Sequence, residues 1–193
     1  MKRAVIAAVA LAALMPGALA QSPDEMRRYF DDGRKVAEQF IQQLGGDLRR
    51  EMELSGPLRS LIVCKFGAPE IASSLSRRTG WRVSRVSLQT RNPALGQPDG
   101  WEYRVLRDFD QKLARGEKAE ALEYGEVVKE AGGTYFRYMK ALPVARLCLN
   151  CHGPKESLSA EVKERLATDY PHDRATGYTL GQVRGAVTVK RPL

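Results

Sequence analysis

The sequence predicts an α+β fold, in which N-terminal helices are followed by an antiparallel sheet with flanking helices. Residues 23–80 carry apolar side chains at helical spacing. Beyond Gly80 the period changes to the alternation of strands, and turn residues separate the apolar runs. Because helices come first and strands follow as a group, this order favours an antiparallel sheet over regularly alternating strands and helices.

The chain opens with the features of an export signal. Two basic residues precede an apolar run over residues 4–14, and small residues lead up to Gln21. The run is shorter than the roughly 20 apolar residues that cross a bilayer, and no later stretch matches its length. We expect residues 1–20 to be a cleaved signal peptide, with an uncleaved anchor as the alternative. Residues 21–193 then form one exported, periplasmic domain with no stable membrane insertion.

Three helices are predicted before the change of period. An amphipathic stripe predicts the first over residues 23–46, with Gly45-Gly46 as its stop. A second, shorter helix is predicted over residues 55–64. Gly67-Ala68-Pro69 breaks it, and a third helix follows over residues 69–80, since proline is tolerated in a first helical turn.

The later elements are predicted from alternation and turn residues. They are a strand over 82–89, a helix over 101–116, paired strands over 119–128 and 133–142, a helix at about 159–168 and a last strand after residue 182. In the last strand, Val183, Val187 and Val189 are expected on one face. Thr188 and Lys190 are expected on the other.

The charge distribution limits the classes of partner that the chain can bind. The net charge is +8, but basic residues are scattered and acidic residues lie between them. Nucleic-acid binding uses a clustered basic face, and an exported protein rarely meets nucleic acid. We therefore expect no nucleic-acid partner.

The strongest motif is Cys148-Leu149-Asn150-Cys151-His152, whose C-x-x-C-H spacing is that of haem c attachment. Two sulfurs separated by two residues can add to the two vinyl groups on one porphyrin edge, and the adjacent histidine can reach the iron. We predict one covalent haem c, with Cys148 and Cys151 as thioether residues and His152 as the first iron ligand. His152 is one of only two histidines, so a histidine-rich composition does not explain the pattern.

Other chemistries compete for this segment. A disulfide or thioredoxin-like pair at Cys148 and Cys151 belongs after the first strand of a βαβ unit, whereas this segment follows a predicted hairpin. A zinc site from Cys64, Cys148, Cys151 and His152 needs adjacent Cys-His ligation, and structural zinc sites use two separated pairs. A chance match is the third alternative. Haem is favoured because the motif and the export signal agree.

The second iron ligand is open from the residues alone. The candidates are Cys64, Met139, Met52, His172 or no residue at all. The chain has three cysteines, so pairing Cys148 with Cys151 at the haem leaves Cys64 alone in an oxidising compartment. A lone thiol there is easier to explain if iron holds it as thiolate, although a free cysteine is often a small buried hydrophobe.

Several further sequence blocks occur in an order that is typical of a known family. They are Val63-Cys64, residues 68–72, 87–93, 98–102 and 148–153, and Tyr170-Pro171 with Asp173, Ala175, Gly177 and Gly181. With these blocks the sequence resembles the PAS-like c-type haem-binding domains. Those domains occur alone in exported proteins and as sensor modules of membrane histidine kinases. The resemblance covers most of residues 21–193.

The resemblance implies a PAS-like antiparallel sheet and a haem ligated by histidine and cysteine. By position it implies His152 as the proximal ligand and Cys64 as the distal one. Residues 87–90 are less basic than the family's block, so Arg91 becomes the candidate for a haem propionate contact. The alternative is that Arg91 only supports its loop.

These expectations favour a redox or small-ligand sensor. No kinase or membrane-spanning segment is evident in the sequence, so a separate signalling partner is expected, and a small gas could bind after reduction. The alternative is an electron carrier that docks a redox partner protein and keeps both ligands. An enzyme is not expected, because no acid–base group can be assigned beside the iron.

Overall fold

The computed structural model describes residues 22–193, so the predicted signal peptide lies outside the described residues. The helices are α1 (Pro23–Ile62), α2 (Ala68–Thr79), α3 (Pro93–Gly96), α4 (Gly100–Ala114), α5 (Leu149–His152) and α6 (Ala160–Asp169). The strands are β1 (Arg82–Val86), β2 (Glu123–Glu130), β3 (Gly133–Pro143) and β4 (Val183–Pro192). Among these described helices, none is both long and apolar enough to cross a bilayer.

The four strands form one antiparallel sheet in the order β1-β4-β3-β2. Helices α1 and α2 cover one face. The core on that side contains Val36, Phe40, Leu44, Ile71, Leu75, Phe136, Tyr138, Val187 and Val189. Helix α4 covers the other face, where the core contains Val86, Trp101, Val105, Leu106, Phe109, Met139, Ala141, Val183 and Ala186. The predicted α+β class is confirmed.

Helix α1 is longer than predicted. A capping box between Ser22 and Glu25 starts it, but Gly45-Gly46 does not stop it. Neither glycine has a positive φ, and a helical glycine weakens a helix without ending it. The backbone leaves helical geometry at Gly56, where φ is 74°. Pro57 then opens the second stretch, because the first turn of a helix needs no N–H from it.

The predicted break at Gly67-Ala68-Pro69 is also wrong. A π-helical turn over Val63–Gly67 joins α1 to α2, and Pro69 lies in the first turn of α2. Helix α2 ends next to Gly80, as predicted, and Gly80 itself adopts the left-handed conformation. Short π-helical insertions occur often at functional sites, and this one contains Cys64.

Strand β4 departs from the predicted alternation at its start. Val187 and Val189 face α1 and α2 as expected, but Val183 packs in the core beneath α4. The register shifts between Leu142 and Pro143 where β3 meets this end of β4, so residues on either side of the shift face opposite layers. Gly185 lies at the irregularity, where a Cβ atom would meet the Val86 carbonyl oxygen at 2.3 Å.

The other predicted elements are present with small shifts at their ends. The largest shift is in the hairpin, where Ala119–Ala121 forms a 3-10 turn and β2 begins only at Glu123. After β3 the chain enters the C-x-x-C-H segment, which connects the sheet to α6. The loop between α6 and β4 then folds back over this segment through the backbone hydrogen bonds Gly177 N–H to Gly153 O and Tyr178 N–H to His152 O.

Candidate functional site

One cavity lies between the π-helical turn, α2, β1 and the C-x-x-C-H segment. Its volume is about 290 Å³, near the lower end of the range for small-molecule sites. Cys64 and His152 both line it. The structure therefore brings together two residues that are 88 positions apart in the chain and that the sequence analysis proposed as a ligand pair.

The C-x-x-C-H segment is held as a 3-10 turn over Arg146–Cys148 followed by α5. The thiols of Cys64, Cys148 and Cys151 are all free and half-buried. Cys151 packs beside a small core that includes Leu61 and α6, and Cys148 packs beside a second one.

The two thiols of the segment are poor nucleophiles as they stand. Burial raises the pKa of Cys148 and raises that of Cys151 to about 11. Reactive dithiol motifs instead have lowered thiol pKa values, so the environment does not fit a thioredoxin-like redox pair. Within residues 22–193, no three His, Cys, Asp or Glu side chains are grouped to hold a metal ion.

His152 is oriented by a backbone carbonyl. Its Nδ1 lies 2.6 Å from the Ala175 oxygen, and because a carbonyl only accepts, Nδ1 carries the proton. The lone pair of Nε2 is then the one that can bind a metal. Burial, with the charges of Arg184 and Arg91, holds the pKa of His152 well below its usual value. The ring is therefore neutral at pH 7, as a metal ligand must be.

Arg184 also lies at this site, although no motif in the sequence predicted it there. Its Nε lies 3.2 Å from Nδ1 and 3.4 Å from Nε2 of His152, and its Nη1 donates to Ser87 Oγ at 2.8 Å. The guanidinium also lies over the Tyr178 ring at 5.4 Å. Burial lowers the pKa of Arg184 to about 10. The one sequence feature that could have indicated a role for Arg184 is that it is a lone arginine in the otherwise apolar start of β4.

Arg91 anchors the loop between α6 and β4 to the C-x-x-C-H segment. Its Nε donates to Asp173 at 3.1 Å, and its Nη2 donates to the Cys151 and Ala175 carbonyls at 2.5 and 3.3 Å. The carbonyl that orients His152 thus also accepts from Arg91. Nη1 is buried and has no hydrogen-bond partner within residues 22–193. The propionate contact predicted for Arg91 stays a prediction, beside this observed role in the loop.

The other candidate iron ligands lie elsewhere. Met139 is fully buried beneath α4, and His172 is exposed in the loop after α6. Met52 lies before the α1 kink, with its sulfur 3.9 Å from Ser60 Oγ. None of the three lines the cavity that contains Cys64 and His152.

The fold and the cavity define a class of protein: an α+β domain in which the histidine of a C-x-x-C-H segment shares a cavity with a distant cysteine. The family model for Tll0287-like proteins matches residues 12–192, and the chain belongs to that family. Both this match and the structural one below confirm the family resemblance that the sequence predicted.

Among solved structures, the chain is similar to the cyanobacterial heme-protein Tll0287. The identity is 26% over 89% of this chain and 97% of that chain, and the TM-score is 0.61. No curated protein sequence matches this chain.

Proposed function

We propose that this chain is an exported c-type cytochrome domain that binds one haem covalently and uses it for redox or small-ligand sensing. The main support for the proposal is the orientation of His152, whose Nδ1 donates a hydrogen bond to the Ala175 carbonyl. Cys64 lines the same cavity. The similarity to a solved heme-protein supports haem binding as the coarser part of the proposal.

The residues of the cavity fit a haem. A neutral imidazole suits ferric or ferrous iron, and its Nε2 would bind once the Arg184 Nε, which lies 3.4 Å from that atom, moves aside. Cys64 on the same cavity could supply a second iron ligand. Lys65, Arg85, Arg91 and Arg184 line the cavity, as suits a group with two propionates. The unpartnered Nη1 of Arg91 is a buried donor that such a carboxylate could accept from.

Each residue then has a distinct task. Cys148 and Cys151 would form the thioethers through their half-buried sulfurs. His152 would be the proximal ligand, held in one tautomer and one orientation by Ala175, and Cys64 the distal ligand. When bound, the haem supplies one-electron Fe(III)/Fe(II) chemistry. A thiolate from Cys64 favours the ferric state, so the reduction potential should be low.

The π-helical turn gives Cys64 a means to respond to the redox state. With a reduced iron Cys64 would be held less strongly as thiolate, and it could then take up a proton and move away. Each hydrogen-bonded ring of the π-helical turn contains one more residue than in an α-helix, and the turn can relax towards α-helical geometry. Such a change would shift Cys64 and the start of α2. A small gas could then occupy the position that Cys64 leaves, and a separate partner protein would read the shift.

Covalent attachment and ligand release have separate tests. The full chain is expressed with a haem c maturation system, and a Soret band that remains with the protein after acid–acetone extraction establishes the thioethers. Carbon monoxide is then added to the reduced protein. We expect the spectrum of a carbon monoxide complex, and an unchanged spectrum contradicts the release of Cys64.

A plain electron carrier is the second candidate, and one observation favours it. Val63, Ala68, Ile71 and Leu75 pack against the core of α1 and the sheet, which would hold Cys64 in place in both redox states. Reversible voltammetry with no carbon monoxide binding is the result expected for that role. In both cases the chain is proposed to act without a catalysed reaction of its own, through a redox or signalling partner outside the cytoplasm.

A further inference from the structure

Four cationic side chains line the cavity, and two of them are balanced by carboxylates. Lys65 lies 3.0 Å from an Asp169 oxygen, and Arg91 lies 3.1 Å from an Asp173 oxygen. Both acidic partners come from the end of α6 and the loop that follows it. The charge of these two cations is therefore already compensated by the protein.

The other two cations, Arg85 and Arg184, have no such partner. Arg85 projects from β1, and no hydrogen bond or ion pair of its side chain is present in the described part of the chain. Within residues 22–193, the side chain of Arg184 lies at hydrogen-bond distance from neutral groups alone, namely Ser87, Gln89 and His152, and it stacks on the neutral Tyr178 ring. The two guanidinium groups also repel each other across the cavity.

Uncompensated cations beside an apolar cavity are costly unless an anion joins them. A guanidinium presents a planar fork of donors that matches a carboxylate in two parallel hydrogen bonds. Two such groups on one cavity therefore match a ligand that carries two carboxylates. A haem has two, and both are ionised at neutral pH.

We propose that Arg85 and Arg184 receive the two propionates of the haem and thereby help to set its reduction potential. This inference rests on the proposed haem function. Arg91 keeps one free donor, Nη1, and can add a contact, but Asp173 already balances its charge. Arg85 and Arg184 are positioning residues, since they act through the propionates and not on the iron itself.

The consequence for the iron follows from charge. Loss of a cation near the haem stabilises Fe(III) over Fe(II), because the ferric centre carries one more positive charge. Removing Arg85 or Arg184 should therefore lower the reduction potential. Each substitution should also free a propionate from its hydrogen bonds, which changes the propionate bending bands in the resonance Raman spectrum.

The test uses the full chain with haem attached, in four variants. Arg85→Gln and Arg184→Gln remove one charge each, and Arg184→Lys retains it. Arg82→Gln is the matched control, because Arg82 lies on the same strand as Arg85 but is exposed and does not line the cavity. Reduction is followed by spectroelectrochemistry, and the propionate bands by resonance Raman spectroscopy.

We expect Arg85→Gln and Arg184→Gln to raise the Fe(III)/Fe(II) ratio at a fixed applied potential roughly three- to tenfold. For a one-electron couple this corresponds to a reduction potential lower by about 28–59 mV. Arg82→Gln and Arg184→Lys should stay near the wild-type potential. The bending bands should change in the two cavity glutamine variants alone.

The outcomes separate this inference from the proposed function. A wild-type chain that attaches no haem contradicts both. A haem-loaded chain in which Arg85→Gln and Arg184→Gln match Arg82→Gln overturns only the propionate assignment. If Arg184→Gln fails to fold, Arg85→Gln and Arg184→Lys still decide: an unchanged potential in the first, or a lowered one in the second, contradicts the charge argument.

Discussion

The ion pair between Arg91 and Asp173 gives a sharp test of how the C-x-x-C-H segment is held. The two side chains are only 7% and 11% exposed. In Asp173→Asn, the amide retains an acceptor for the Ala175 N–H, which Asp173 Oδ1 now accepts at 2.7 Å. The charge that balances Arg91 is lost. Removing one partner of a buried pair costs about 3–5 kcal/mol, and the retained hydrogen bond places the expected cost near the lower end, about 3 kcal/mol.

Thermal and urea denaturation of the haem-loaded chain measure this cost. At about 2–4 °C per kcal/mol for a chain of this size, the melting temperature of Asp173→Asn should fall by about 6–12 °C. Glu70→Gln is the matched control, because its ion pair with Arg77 is exposed on both sides and should contribute less than about 1 kcal/mol. Unfolding free energies of the two variants within 1 kcal/mol of each other would refute the argument.

Three further substitutions test the fold. Gly46→Ala should raise the free energy of unfolding by about 0.5–1 kcal/mol, since a Cβ there meets no atom within 4 Å. Gly33→Ala should lower it by about 1–3 kcal/mol, because its Cβ would lie 2.9 Å from Tyr138 Cγ; urea titration of both variants compares the signs. The hydrogen bond from Arg34 holds the pKa of Glu123 below its ordinary 4.5, so its stabilisation is present above that pH and is lost as pH falls below it. Glu123→Gln should therefore be less stable at pH 7 and lose less stability between pH 5 and 3, and denaturation profiles as steep as the wild type's would contradict this.

The helices show what periodicity can and cannot predict. Apolar spacing located α2, α4 and α6, because each buries one stripe against the sheet or a neighbouring helix. Periodicity misplaced the end of the first helical stretch of α1, since Gly45-Gly46 and Gly56 are equally good local stop signals. The backbone stays helical at Gly45-Gly46 and leaves helical geometry at Gly56, and the residue type alone does not distinguish the two positions.

The candidate site was predicted in the parts that have a fixed spacing. Cys148, Cys151 and His152 follow from one motif, and the family resemblance selected Cys64 from the candidates for the second ligand. Arg85 and Arg184 have no such spacing. They reach the cavity because β1 and β4 are neighbours in the sheet, and this pairing joins residues about 100 positions apart. The π-helical turn at Cys64 likewise depends on tertiary packing and has no local signal.

The most direct test of the account is the visible absorption spectrum of the ferric, haem-loaded Cys64→Ala variant. His172→Ala serves as the control, because His172 is exposed and was the other candidate with a strong iron-binding side chain. We predict that Cys64→Ala loses the low-spin, thiolate-ligated spectrum of the wild type, while His172→Ala retains it. An unchanged low-spin spectrum in Cys64→Ala would contradict the pairing of Cys64 with His152 at the iron.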